Sequence, residues 1–149
     1  MAIFRSWFID FEPFQDEEFI YSEELDMEIP EEWEAKPIGK IAKIIKGVSY
    51  KSNELEDTKS NNASIFITLK VFERGGGFRP EYKYYTGNKA KKDQIITDGD
   101  LIIALTDMTP EAKVVGAPAI VVLPPDVKEG IISLDCARLD VQELSLIHI

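Results

Sequence analysis

A strand-rich mixed α+β domain with short helices is the fold class this sequence predicts, and three observations carry that prediction. Ile65, Ile67, Leu69 and Val71 alternate with Phe66, Thr68, Lys70 and Phe72, the period of two that sends neighbouring side chains to opposite faces of a sheet. Short apolar runs of strand length recur at residues 101–105, 117–123, 130–134 and 138–141, whereas helical spacing is confined to brief stretches. The chain has 149 residues, 44% of them hydrophobic, which is enough for one sizeable core and an appendage.

Taken in order, the first 14 residues bring Phe4, Trp7, Phe8 and Phe11 to one side of a short helix that Pro13 ends. So short a helix cannot satisfy its own apolar stripe, so it either packs on the domain or is the tail of a longer helix; as an acidic linker sets the segment apart, Trp7, Phe8 and Phe11 are expected to face a helix or another subunit rather than the domain's own core. Residues 15–28 are acidic and read as a solvated linker. Residue 29 opens the folded domain, in which Trp33 is the first side chain large enough to anchor a core. Residues 38–48 read as a helical turn and then a short strand ending at Gly47, followed by a short helix over 50–57 and a polar loop over 57–63.

Phe66 and Phe72, on the second face of the central strand at 65–72, imply that it is covered on both sides or lies under a contact surface. Gly75, Gly76 and Gly77 follow, flanked by Arg74, Arg79 and Lys83 and succeeded by Tyr84 and Tyr85. A glycine loop among cations can bring bare backbone N–H groups to a phosphate; equally, it can be a solvated connection with ordinary surface charges. Lys89, Lys91 and Lys92 form a basic patch, and Gly99 between Asp98 and Asp100 marks a turn. The run LIIAL at 101–105 reads as a buried strand without alternation, closed by a polar loop over residues 106–110.

Charge is distributed unevenly, and this decides which partners are plausible. The formal net charge of -10 divides into -11 over residues 1–34, +8 over residues 35–92 and -7 over residues 93–149. A basic middle suits a phosphate-facing surface, while acidic ends belong elsewhere. One cysteine, Cys136, excludes an internal disulfide and a multi-cysteine zinc site, which makes the cytoplasm the expected compartment. One histidine, His148, leaves no basis for a histidine metal centre or catalytic triad. No apolar run is long enough to span a bilayer, so no membrane partner is expected.

The segments WFIDFEPF at 7–14, IPEEWEAKPIGKIAKIIKG at 29–47, TLK and RGGGF within 68–78 and GDLIIALTDMT at 99–109 resemble the specificity subunit of type I restriction-modification systems. The order of the segments is kept over nearly the whole chain. The resemblance implies that residues 1–14 are the end of a conserved spacer helix that pairs in a coiled coil and 15–28 a linker. It implies that 29–149 are a DNA target-recognition domain, incomplete at its C-terminus, with residues 144–149 a truncation or read-through tail. It also implies sequence-specific binding of double-stranded DNA without catalysis and without a cofactor. The partners would be a methyltransferase (modification) subunit and a restriction subunit, the former beside Trp7, Phe8 and Phe11.

The residues themselves agree with a non-enzyme. An amino-methyltransferase motif has its nearest match in Leu123-Pro124-Pro125-Asp126 and fails at both ends, and the glycines at 75–77 lack P-loop spacing. A DNA reader needs cations on phosphates and polar groups at base edges. Lys70, Arg74, Arg79, Lys83, Lys89, Lys91 and Lys92, with Gly75, Gly76 and Gly77, are the candidate phosphate contacts; Thr106 and Thr109 are candidate hydroxyl donors. Asp107 either accepts from a cytosine amino group, orders a neighbouring cation or serves as a turn residue. Two rival classes remain at this level: an acidic protein-binding module or DNA mimic, and a nuclease or hydrolase acting alone.

Overall fold

The computed structural model describes residues 2–107 and 113–141, residues 2–4 as backbone only. The chain divides into two compact units, Met1–Lys40 and Ile41–Ile149. Among the described residues it is strand-rich with a few short helices, the mixed α+β class that the alternating runs predict.

In the first unit, helix α1 (Ala2–Phe8) stops before Pro13, and Pro13 sits inside a separate 3-10 turn, Glu12–Phe14. The break falls at Phe11, whose φ of 49° puts a bulky residue in the left-handed region. That conformation turns its ring inward: Phe11 is buried, with ring contacts to Phe19 and Trp33 at 5.7 and 5.5 Å. Phe8 and Phe14 also contact Trp33, at 5.5 and 5.1 Å, and Trp7 meets Phe14 at 6.4 Å. Within the first unit, Phe8 and Phe11 thus meet Trp33 and Trp7 meets Phe14, apart from the core of the second unit. Trp33 gathers Phe8, Phe11 and Phe14, so it anchors this aromatic cluster and not the larger core. A correction concerns the acidic stretch, in which β1 (Phe19–Ser22) and β2 (Met27–Pro30) form an antiparallel hairpin with Ile20 opposite Ile29. Ile29, Pro30 and Trp33 thus side with the N-terminal unit.

Helix α2 (Ile38–Ile41) leads into β3 (Ala42–Lys46), the helical turn and strand expected before Gly47. Next come β4 (Leu55–Glu56), preceded by a 3-10 turn at Ser52–Glu54, then β5 (Ser64–Ile67) and β6 (Lys83–Tyr85). The remaining strands are β7 (Ile95–Ile96), β8 (Leu101–Ala104), β9 (Pro118–Ile120), β10 (Gly130–Ile132) and β11 (Cys136–Val141). Two sheets result, ordered β4-β6-β5-β10-β7 and β3-β11-β8-β9. Only β5 and β10 pair in parallel in the first, and the second is antiparallel throughout.

The central strand is shorter than its alternation suggests. It ends at Ile67, because the hydroxyl of Thr68 accepts from the Lys70 N–H and starts a 3-10 turn over Leu69–Val71. Both faces of β5 are buried, as Phe66 implies. Ile65 and Ile67 join Val71, Phe72, Ile96, Ile102, Ala119, Val121 and Ile132 in the main core. Phe66 packs on the other side with Val48 and Tyr85, stacked on Tyr85 at 5.0 Å and edge-on to Tyr50 at 5.1 Å. In β8 burial alternates, with Ile102 and Ala104 inside and Leu101 and Ile103 half-exposed, so the reading of LIIAL as buried on both sides is corrected. Antiparallel neighbours leave one face of that sheet open. Arg138 of β11 donates to the Ile95 carbonyl at 3.1 Å and lies 3.8 Å from Asp100, which fastens one sheet to the other. Cys136 is fully buried beside Ser133, their side chains 3.6 Å apart.

Candidate nucleic-acid interface

Two loops picked out by the sequence emerge at the same end of the second unit. One follows β5 and the other follows β8. Ser133, just past β10, donates its N–H to the Ile67 carbonyl, and two positions on the Asp135 carbonyl accepts from Leu105. The ends of β5, β8 and β10 are thereby tied together by main-chain hydrogen bonds. Pro118, opposite Ile103 in the sheet, also accepts from Gly77 at 3.0 Å, which draws the glycine loop to the start of β9.

The glycine loop is tightly closed. Phe72 and Phe78 form an antiparallel bridge, and between them Gly75, Gly76 and Gly77 have φ of 79°, 100° and 122°, values that suit residues without a Cβ. The Gly76 N–H donates to Glu73 at 3.1 Å and the Gly77 N–H to Pro118, so two of the three amides proposed to cradle a phosphate are spent within the fold. The idea of a three-amide anion nest is corrected accordingly: a bonded N–H has no direction left for a ligand. The Gly75 N–H is the one that none of the loop's own main-chain bonds uses.

The candidate cations divide into two groups. Arg79 pairs with Glu81 at 3.3 Å, Lys83 with Asp57 and Lys89 with Glu54 at 2.9 Å. The Lys89 ammonium and then the Lys51 N–H hold the Glu54 carboxyl below its ordinary value; Lys83 does the same for Asp57. Lys70, Arg74, Lys91 and Lys92 are exposed and carry no ion pair with any described residue. Surface pairs contribute little and break easily, so the paired cations remain available to a polyanion at a small cost. The second group is available outright.

Thr106 is exposed and its hydroxyl donates to the Asp135 carboxylate at 3.3 Å; Tyr50 donates to the other oxygen at a long 3.5 Å. Burial, then the Asp135 charge, raises the Tyr50 pKa above its ordinary value. Asp107 accepts the Val114 N–H at 2.9 Å. Thr109 lies outside the described residues, as do residues 144–149. Tyr85 is core, on the Phe66 side, and Tyr84 packs half-buried against the main core. Sequence reasoning missed Asp135, which sets the Thr106 hydroxyl, and Lys46, whose neighbours are known only once β3 is placed. The surface concavity lined by Glu17, Glu18, Glu31 and Glu32 belongs to the first unit and repels anions. Among the described residues no group of His, Cys, Asp and Glu is arranged to hold a metal, and no helix is long and apolar enough to cross a membrane.

No protein-family model matches the sequence. The MjaIX specificity subunit of a type I restriction enzyme from Methanocaldococcus jannaschii is 43% identical over 76 residues, which is 50% of this chain but 17% of the relative's length. In fold, an HsdS subunit from Thermoanaerobacter tengcongensis superposes with a TM-score of 0.51 and 17% identity over 84% of this chain and 27% of its own. A structure described under complex assembly and conformational transition of the type I R-M system aligns at a TM-score of 0.49 and 16% identity, over 76% of this chain and 26% of its own. By sequence over half its length and by fold over most of it, the chain is similar to the specificity subunits of type I restriction enzymes.

Proposed function

We propose that the chain recognises double-stranded DNA, with no reaction centre of its own, and serves as the target-recognition part of a type I restriction-modification enzyme. Residues 29–149 carry recognition in this reading, and the methyltransferase and restriction subunits act where the chain directs them, at one half of a bipartite site. The observation that carries it is the convergence of the 68–79 and 105–107 loops on one end of the second unit, with the free cations Lys70 and Arg74 on the first and the exposed Thr106 hydroxyl on the second. A rigid sheet that ends in polar loops can hold side chains against base edges while neighbouring cations hold the phosphates. Likeness to the specificity subunits supports the same assignment, and so does the +8 charge of residues 35–92, which a DNA mimic would lack. Trp7 and Phe8, half-exposed beside the Trp33 cluster, are the part of the first unit suited to a methyltransferase subunit.

The test is binding of a mixed-sequence duplex over a salt series. Log affinity is expected to fall linearly with log salt, and Arg74→Ala to lower the slope by about 0.9; Arg79→Ala lowers it less, because Glu81 already neutralises that guanidinium. Affinity that ignores salt sinks the proposal. So does methyl transfer or strand cleavage by the chain alone.

A further inference from the structure

One row of cross-strand partners crosses the whole second sheet. Lys46 of β3 lies opposite Ala137 of β11, Ala137 opposite Ile103 of β8, and Ile103 opposite Pro118 of β9. The Pro118 carbonyl then accepts from Gly77, so the row ends in the glycine loop beside Arg74. At the other end, a single side chain joins two lysines distant in sequence, and Lys92 follows the second of them in the chain. The Gln94 amide nitrogen donates to the carbonyls of Lys46 and Gly47, both at 3.1 Å, while its oxygen accepts the Lys91 N–H at 3.1 Å. Lys46, Lys91 and Lys92 are all exposed, and none is ion-paired with a described residue. Thr106 stands three residues past Ile103, beyond the middle of the row.

We propose that Lys46, Lys91 and Lys92, assembled by Gln94, form a second phosphate-binding pole opposite Lys70 and Arg74, so that the chain straddles a DNA groove with the Thr106 loop facing into it. Four strand spacings separate Lys46 from Gly77, ~19 Å. That matches the ~12 Å opening of a major groove together with the phosphate wall on each side. Asp135 accepts from the Thr106 and Tyr50 hydroxyls and Asp107 from the Val114 N–H; these neutral donors hold the two carboxylates in place without cancelling their charge, so the phosphates are left to the cations at the poles. Each pole therefore takes the backbone of a different strand, and the hydroxyl-bearing loop is left over the base edges. Gln94 acts as a positioning residue, and the lysines make the contact.

This rests on the DNA-binding reading, and its test separates the two. The 149-residue chain is titrated with a mixed-sequence 20-base-pair duplex over a salt series. Lys46→Ala/Lys92→Ala is expected to lower the slope by about 1.8, Lys70→Ala/Arg74→Ala by about the same, and the four changes together by about 3.6. Gln94→Leu keeps every lysine and still lowers the slope, with the melting temperature of each variant as the folding control. When one strand carries neutral methylphosphonate linkages, the wild-type slope is expected to fall by half, because one pole loses its strand. An unchanged slope for Lys46→Ala/Lys92→Ala beside a lowered one for Lys70→Ala/Arg74→Ala overturns the second pole and leaves DNA binding standing. An undiminished wild-type slope on the half-neutral duplex places both poles on one strand and overturns the straddle. A wild-type affinity indifferent to salt defeats the underlying reading itself.

Discussion

Phe66→Ala is expected to cost the second unit about 3–5 kcal/mol, the range for deleting a fully buried aromatic ring. Phe66 is wholly buried, and it is the one side chain stacked on Tyr85 while meeting Tyr50 edge-on. Its removal opens a void against the second face of β5, between Val48 and Tyr85. Relaxation is limited, because both neighbouring strands are held by the ladder. Urea unfolding followed by fluorescence measures the loss, and the midpoint of a thermal scan should drop by roughly 4–8 °C for each kcal/mol in a domain of this size. A loss below about 1 kcal/mol would mean that the second face is not core.

Gly47→Ala is the other large effect. A Cβ at this position would fall on the carbonyl oxygens of Ile132 and Ser133, and the crowding atoms are main chain, which cannot rotate aside. The close approach has a purpose: the Gly47 and Val48 N–H groups donate to the Cys136 and Ile132 carbonyls, and the Leu134 N–H donates to the Val48 carbonyl across the same seam. This is where the chain leaves β3 and bridges Val48 to Ser133, just past β10. Forcing it apart should cost about 3 kcal/mol or more, at or above the usual cost of overpacking. Amide hydrogen exchange should show lost protection at Val48, Ser133 and Leu134 before the rest of the unit. Full retention of stability would require a different path for the chain at Gly47.

The parts of this fold that the sequence announces are those where one force acts alone. Alternation at Ile65 and Ile67 is dictated by two buried faces, and it survives in β5. The turn at Gly99 is announced by its aspartates, and indeed Asp100 takes the Thr97 N–H and Asp98 the Leu123 N–H. The β1–β2 hairpin is hidden because its charges mask a weak alternation and Asp26, not a glycine, takes the positive φ of 52°. The site was legible to the same extent. Clustered cations can be read off the chain, but their partners cannot: Asp57 lies 26 positions from Lys83, and Glu54 lies 35 from Lys89. The fate of the Gly77 amide depends on Pro118, and the grouping of Lys46 with Lys91 depends on Gln94; both follow from tertiary packing alone.

The buried thiol has a use that nothing in the DNA reading requires. Cys136 is the chain's one cysteine, and burial pushes its pKa up to about 12, against which the Ser133 hydroxyl pulls only weakly. At pH 8, where an ordinary thiol is partly ionised, this one is neutral and shielded, so an alkylating reagent has nothing to attack until the seam between β8 and β11 parts. Labelling at Cys136 therefore keeps time on the opening of the second unit, with no background from any other sulfhydryl. The same displacement sets an alkaline limit. Because the folded thiol holds its proton above the unfolded value of about 8.5, stability is intact below that pH and drains away as the pH climbs toward 12.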